Sequence, residues 1–222
     1  MELNKNKSPL ISVIITVFNR AQKLKRAVMS VLSQTFKDFE IIIVDDGSTD
    51  NPEKFIFGMI IKGYNIKYLK HSNRGTPLSL NAGIRLASGK YVTFLDSDDE
   101  YLPEHLEKRF TLFNDNKKLD LIHTTAKIVG SAEDMLIPDA RNPSKLIHIE
   151  KCVFGATIFG KKKVFELIKG FRDIYGYDYD FINRCKRKFY IEKIDLPTYI
   201  YNRNTEDSFL TKKKNMIITS HR

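Results

Sequence analysis

An α/β fold built on a mostly parallel central sheet is what this sequence predicts, and three features point there. Continuous β-branched runs such as Ile11–Val17 read as strands buried on both faces. These runs alternate with segments of helical spacing, the pattern of strands joined by crossover helices. Two runs end abruptly in carboxylates: residues 39–44 lead into Asp45-Asp46-Gly47-Ser48-Thr49-Asp50, and residues 91–95 into Asp96-Ser97-Asp98-Asp99. Ligands of open parallel sheets bind at the carboxyl ends of the strands, so the two acidic ends are expected to share one site.

The elements follow in order. After the first strand, residues 21–34 place Leu24, Ala27, Val28, Val31 and Leu32 on one helical face. The strand at 39–44 is followed by a helix starting near Pro52, a strand at 66–69 and a helix at 77–87 stopped by Ser88-Gly89. A strand at 91–95 comes next, then a helix from Pro103. Residues 119–129 read as one further strand and 131–143 as an irregular loop. The remaining expectations are a strand at 153–159, a helix at 162–168, a helix at 179–188 and one or two strands within 191–201. No internal repeat or low-complexity tract interrupts this order.

With 222 residues, 42% hydrophobic and 29% charged, the composition is that of one ordinary globular domain. No apolar run reaches the roughly 18 to 20 residues of a membrane span, and residues 1–7 lack the apolar stretch of a secretion signal, so a cytoplasmic location is expected. The two cysteines, Cys152 and Cys185, are too few for a disulfide framework and too isolated for a zinc site. None of the five histidines falls in a motif with a second ligand. The formal net charge is +10, and its clusters, Lys161-Lys162-Lys163, Arg184 with Lys186-Arg187-Lys188, and Lys212-Lys213-Lys214, all lie towards the C-terminus, away from the acidic strand ends. No helix-turn-helix, zinc-finger or RNA-binding signature accompanies them, so solvated surface, or attraction to anionic lipid at the inner face of a membrane or to a phosphorylated substrate, is expected before nucleic acid.

Three acidic side chains within four positions repel one another unless they are well solvated or hold a hard cation. An EF-hand would need a longer loop with Gly at its sixth and Glu at its twelfth position, and Pro103 interrupts here. One carboxylate plus phosphate oxygens suits Mg²⁺ or Mn²⁺ better. A P-loop, a dinucleotide-binding glycine fingerprint and a nucleophile elbow are all missing. A nucleotidyltransferase would need a Gly-rich phosphate loop after the first strand, where the chain reads Thr16-Val17-Phe18-Asn19-Arg20.

Taken together, Ser12-Val13-Ile14-Ile15-Thr16-Val17-Phe18-Asn19, Val31-Leu32-Ser33-Gln34-Thr35-Phe36, Ile43-Val44-Asp45-Asp46-Gly47-Ser48-Thr49-Asp50 and Phe94-Leu95-Asp96-Ser97-Asp98-Asp99 resemble the family 2 glycosyltransferases of the GT-A fold. The likeness continues through Asn73-Arg74-Gly75, Leu80-Asn81-Ala82-Gly83, Lys169-Gly170-Phe171 and Tyr177-Asp178-Tyr179-Asp180. It implies a flexible N-terminus over 1–9, a glycosyltransferase domain over 10–205, and a basic tail over 206–222. The domain would have a nucleotide-binding half at about 10–100 and an acceptor-side half at about 101–205.

The resemblance also assigns roles. Asp46 would take the N3–H of a uracil base in a charge-assisted hydrogen bond, a bond that cytosine cannot offer. Thr16 and Phe18 would line the same pocket, Asp45 would support the loop, and Asn73 would join the donor site. Asp96 would face the ribose or a metal-bound water, and Asp98 would hold Mn²⁺ or Mg²⁺ against the diphosphate. Asp178 would be the general base, with Asp180 the alternative; helix N-capping is the plain reading of both. Tyr177 stands where relatives carry Glu. Near the C-terminus Arg203 is expected to meet phosphate, although Asn204 replaces the His of the usual Arg-x-His motif.

The implied activity is inverting transfer of a sugar from a nucleotide-diphosphate sugar, most simply a UDP-sugar, to an acceptor hydroxyl. The acceptor would be a glycan, a lipid-linked sugar or a protein, in polysaccharide, lipooligosaccharide or glycoconjugate assembly. A catalytically silent nucleotide-sugar or glycan-binding relative is the alternative, and a nucleic-acid-binding protein ranks last.

Overall fold

Seven strands form the main sheet of the computed structural model, which describes residues 8–203 and 210–211. In chain order the first half contains β1 (Ile11–Val17), α1 (Ala21–Leu32), β2 (Phe39–Asp45), α2 (Glu53–Ile61), β3 (Ile66–Lys70), α3 (Thr76–Leu86) and β4 (Tyr91–Asp96). The second half contains β5 (Glu100–Tyr101), α4 (His105–Asp115), β6 (Leu121–Thr124), β7 (Lys127–Val129), β8 (Leu136–Pro138), β9 (Leu146–His148), β10 (Phe159–Lys161), α5 (Lys162–Leu167), α6 (Tyr177–Lys186), β11 (Ile191–Ile194) and β12 (Tyr199–Asn202). The sheet order is β11-β6-β10-β4-β1-β2-β3, and every pairing is parallel except those of β10.

Alternation along the strands gives each face of the sheet its own core. Val13, Ile15, Ile41, Ile43 and Leu95 pack with Leu24 and Val28 of α1, Ile56 of α2 and Phe113 of α4. Ile14, Ile42, Val92 and Phe94 pack on the other face with Leu80 of α3, Phe165 of α5 and Phe181 of α6. The strands are covered on both sides, which is why they read as unbroken apolar runs. Among the described residues no helix is long and apolar enough to cross a membrane. Cys152 and Cys185 are both free thiols.

The second half departs from the sequence reading in three places. The strand expected over 119–129 is two strands in different sheets, because β7 leaves the main sheet to pair with β12, which also pairs with β5. The strand expected over 153–159 is instead a 3-10 turn at Gly155–Thr157, and the sheet is entered only at β10. The loop expected over 131–143 holds a turn at Ala132–Met135 and β8, which forms a hairpin with β9. The last helix begins at Tyr177, two residues earlier than its apolar spacing indicates.

Candidate active site

Register brings the strand ends together. Thr16 of β1 lies opposite Asp96 of β4, and Val17 lies opposite Asp45 of β2. β2 and β3 extend to one side of β1 and β4 to the other, so the strand order reverses there and the loops part to leave a crevice.

One wall is made by the interlocked loops after β1 and β2. Asn19 takes a left-handed φ of 51°, which Asn tolerates. Its N–H donates to Ser48 Oγ at 3.0 Å, and its Oδ1 accepts the Thr49 N–H at 2.8 Å. Asp50 Oδ2 accepts the Ala21 N–H at 2.7 Å and caps α1, whose own N-cap residue Arg20 makes no side-chain cap bond. Asp45 is fully buried and accepts from the Ser48 N–H at 2.7 Å and the Tyr68 hydroxyl at 2.6 Å. Burial pushes its pKa up, but these bonds and the Lys70 charge outweigh burial and hold it below the usual carboxylate value.

Asp46 carries the neighbouring 73–75 loop: Oδ1 accepts the Arg74 N–H at 2.7 Å and Oδ2 the Gly75 N–H at 2.9 Å. Gly47, at φ 88°, lets that loop approach, since a Cβ there would stand 2.9 Å from the Asn73 backbone nitrogen. Beside these groups Phe18 is 45% exposed, Asn73 is exposed and Thr16 is half-buried.

The second wall is the end of β4. Asp98 Oδ2 accepts from Arg20 Nη1 at 2.8 Å, and its carbonyl accepts from Arg26 Nη2 and Asn202 Nδ2, each at 2.9 Å. Asp99 is buried behind it, accepting from the Tyr199 hydroxyl at 2.6 Å and the Asn202 N–H at 2.7 Å. Burial, then the charges of Asp96 and Asp98, push the Asp99 pKa well up. Burial, then the charge of Asp98, raises Asp96 to about 7; Arg20 opposes the rise and Asp178 adds to it.

The third wall is α6, whose N-cap is Gly176 in a left-handed conformation with no side-chain cap bond. Asp178 is therefore not the N-cap residue, although its carboxylate takes a first-turn N–H of the helix. Its Oδ2 accepts the Gly155 N–H at 3.2 Å and its Oδ1 the Tyr179 N–H at 2.8 Å, and burial raises its pKa to about 6 against these bonds. Asp180 is engaged elsewhere, accepting from Arg184 Nε at 2.8 Å and Arg172 Nη1 at 3.2 Å. The fold thus gathers Thr16, Asp96, Asp98 and Asp178 at one crevice, with Asp46, Asn73 and Phe18 on its flank.

Arg203 is buried, with Nε donating to the Asp134 carbonyl at 3.2 Å and the guanidinium 5.8 Å from the Tyr201 ring centroid. The site therefore holds it beneath the turn at Ala132–Met135. Asn204, Lys212-Lys213-Lys214, His221 and most of the 206–222 tail lie outside the described residues, as do residues 1–7.

Asp98, with Asp96 beside it, offers hard oxygen donors. Among the described residues no group of three His, Cys, Asp or Glu side chains is gathered into a metal cage. That donor set fits Mg²⁺ or Mn²⁺, which take one or two carboxylates and complete their shell with phosphate and water. Several supporting residues escape a sequence reading. Arg20, Gly155, Tyr199 and Asn202 reach the acidic groups only through tertiary structure; the one local hint is that Arg20 belongs to the loop after β1.

Comparison with known proteins adds three findings. The model of the family described as glycosyl transferase family 2 matches residues 12–168. An uncharacterized glycosyltransferase of Methanocaldococcus jannaschii is 32% identical over 224 residues, covering 93% of this chain and 76% of the relative. One of Rickettsia prowazekii is 32% identical over 185 residues, covering 78% of this chain, and the match spans only 57% of that relative's length. Among solved structures, S. aureus TarS 1-349 in complex with UDP-GlcNAc superposes with a TM-score of 0.68 at 19% identity, over 95% of this chain and 66% of that one. The mannosyltransferase PcManGT of Pyrobaculum calidifontis, in complex with GDP-Man and Mn²⁺, gives 0.71 at 16% identity, over 97% and 64%. These likenesses show the fold, which is GT-A.

Proposed function

Because the chain belongs to glycosyl transferase family 2, we propose that it transfers a sugar from a nucleotide-diphosphate sugar to an acceptor hydroxyl with inversion at the anomeric carbon. The observation that carries the reading is the placement of Asp178 beside the β4 end that holds Asp96-Ser97-Asp98: its carboxylate is bound by the Gly155 N–H of the turn that packs on β4. A base and a diphosphate-facing carboxylate pair are the two components such a transfer needs.

On the nucleoside flank Asp46 Oδ1 is taken by the Arg74 N–H and has His71 Nδ1 at 3.3 Å, while Oδ2 holds only the Gly75 N–H and keeps a second accepting position. It reads the N3–H of uracil there, with Phe18 offering an aromatic face and Thr16 and Asn73 completing the donor site. UDP and UDP-GlcNAc in complexes of TarS support a UDP-sugar donor, while GDP-Man in the mannosyltransferase complex shows that the fold accepts guanine as well. Asp98, assisted by Asp96, would hold Mn²⁺ or Mg²⁺, whose positive charge neutralises the diphosphate as it departs. With a cation held there, Arg20 would exchange Asp98 for the phosphates.

Asp178 removes the acceptor proton. Burial favours its neutral form, so it binds that proton more readily than an exposed carboxylate would. A carboxylate that takes a proton and attacks no carbon leaves a single displacement, hence inversion. The acceptor is a glycan, lipid-linked sugar or protein of a polysaccharide or glycoconjugate pathway. It would enter beside the β8–β9 hairpin.

Calorimetry with UDP, GDP and CDP, each with Mn²⁺ and with excess chelator, tests the donor side. UDP should bind best and need the cation; equal binding of CDP, or no effect of chelator, would remove the roles of Asp46 or Asp98 respectively. Asp46→Ala should weaken UDP by roughly 1.5 to 3 kcal/mol. Normal donor binding with no transfer to any acceptor would favour the binding relative, to which Tyr177 in the usual Glu position already points.

A further inference from the structure

α6 has a second concave face. Asp178 and Asp180 are about 200° apart around the helix, and their partners confirm that they serve different surfaces: Gly155 on one side, Arg172 and Arg184 on the other. On the Asp180 side lies a concavity of about 420 Å³ lined by Lys169, Arg172, Arg184, Arg187 and Lys188, with Leu167 in its wall.

Arg184 builds this concavity. It pairs with Asp180, and its Nη1 and Nη2 donate to the carbonyls of Ile168 and Gly170, each at 2.8 Å. These bonds tie the end of α5 to α6 and hold the turn in which Lys169 takes a left-handed φ of 62°. Arg172 shares Asp180 but is 63% exposed. Lys169, Arg187 and Lys188 are exposed and make no ion pair among the described residues. Asp180 is already shared between two arginines, so it leaves the remaining cations uncompensated. Alongside them Leu167 is 64% exposed.

Cations held together by the fold repel one another until an anion arrives. A soluble phosphate would satisfy the charge, yet it would leave Leu167 in water. A membrane surface satisfies both, because it offers phosphodiester headgroups to the cations and acyl chains to aliphatic side chains. We propose that this face of α5 and α6 docks on an anionic phospholipid surface through Lys169, Arg172, Arg187 and Lys188, with Leu167 inserting beside them. The docking is separate from donor binding, since α6 carries the two sites on different sides.

The test is co-sedimentation of the full chain with vesicles of phosphatidylglycerol and phosphatidylcholine, and with phosphatidylcholine alone. The wild type should bind only the anionic vesicles. The triple variant Lys169→Gln, Arg187→Gln, Lys188→Gln should lose roughly 100-fold in partition coefficient, at about 1 kcal/mol per basic residue. Its thermal melting should be unchanged. Leu167→Asn should weaken vesicle binding while leaving any pyrophosphate binding as it was. If the triple variant binds anionic vesicles as the wild type does, the lipid contact lies elsewhere and the proposal fails. It also fails if the wild type ignores anionic vesicles and binds only soluble pyrophosphate.

Discussion

Arg20 and Asp98 are 78 positions apart, yet their side chains meet at 2.8 Å with only 21% and 10% of their side-chain surface exposed. Arg20 thereby occupies the carboxylate expected to hold the cation, so removing it should favour the metal. Arg20→Ala is predicted to bind Mn²⁺ in the absence of nucleotide about fivefold more tightly than the wild type, the worth of a partly exposed ion pair of about 1 kcal/mol. Calorimetric titration with MnCl₂ alone decides it, and unchanged affinity would detach Asp98 from the metal. For Asp178 the expectation concerns rate. Asp178→Asn should lower turnover by roughly 10² to 10⁴ with donor affinity nearly unchanged. The base acts only when ionised, and its raised pKa of about 6 moves the onset of activity upward from the usual carboxylate range. In the wild type the rate should therefore rise with pH through about 6 and level off above it, whereas the Asn variant should lack that limb. Asp180→Asn should instead behave as a stability variant, losing about 1 to 2 kcal/mol through Arg184 in urea unfolding while keeping most of its turnover. If the Asp180 variant were dead and the Asp178 variant active, the base would have to move by two residues.

At the scale of elements, Gly47 couples the acidic end of β2 to the 71–73 segment of the nucleoside flank. A side chain there faces both a left-handed φ of 88° and backbone atoms 2.9 and 3.2 Å away, which cannot rotate aside as a side chain could. Gly47→Ala should cost roughly 1 to 3 kcal/mol and displace the 73–75 loop from Asp46. UDP affinity should fall with it; wild-type affinity in the folded variant would show that the loop is not part of the donor site. This turn was legible in advance, because Asp45-Asp46-Gly47-Ser48 comes straight after the purely apolar run Ile41-Ile42-Ile43-Val44. The later elements were not. β6, β7 and β10 have four, three and three residues, too short to display a period, and β7 joins a different sheet from β6. The partner of Asp178, the Gly155 N–H, sits in a 3-10 turn that a strand reading of 153–159 hides. Carboxylates at strand ends can be read from order along the chain, whereas the groups that tune them come from other elements.

Across the whole molecule, β10 determines how the halves relate. It lies between β4 and β6 and pairs antiparallel with both, so the main sheet runs unbroken from the first half of the chain into the second. Without it β4 would become an edge with its backbone N–H and C=O groups unpaired. Unfolding in urea should accordingly follow one transition, coincident by circular dichroism and tyrosine fluorescence. A fragment ending at residue 104 should not give a soluble cooperative fold. Two separated transitions would mean that the halves are independent units despite the shared sheet.

The interlocking of the loops after β1 and β2 has a consequence in time. The nucleoside flank is pinned by the Asn19, Ser48, Thr49 and Asp50 hydrogen bonds before any ligand arrives, while the diphosphate flank begins with Asp98 closed by Arg20. Donor capture should then be sequential. The base would dock by simple encounter, at a rate that climbs linearly with concentration, and the ion pair would open in a first-order step that saturates. Stopped-flow mixing with a fluorescent UDP analogue and Mn²⁺ should resolve both phases, and Arg20→Ala should erase the slower one. A single linear phase in the wild type would mean that Arg20 poses no barrier to the incoming diphosphate.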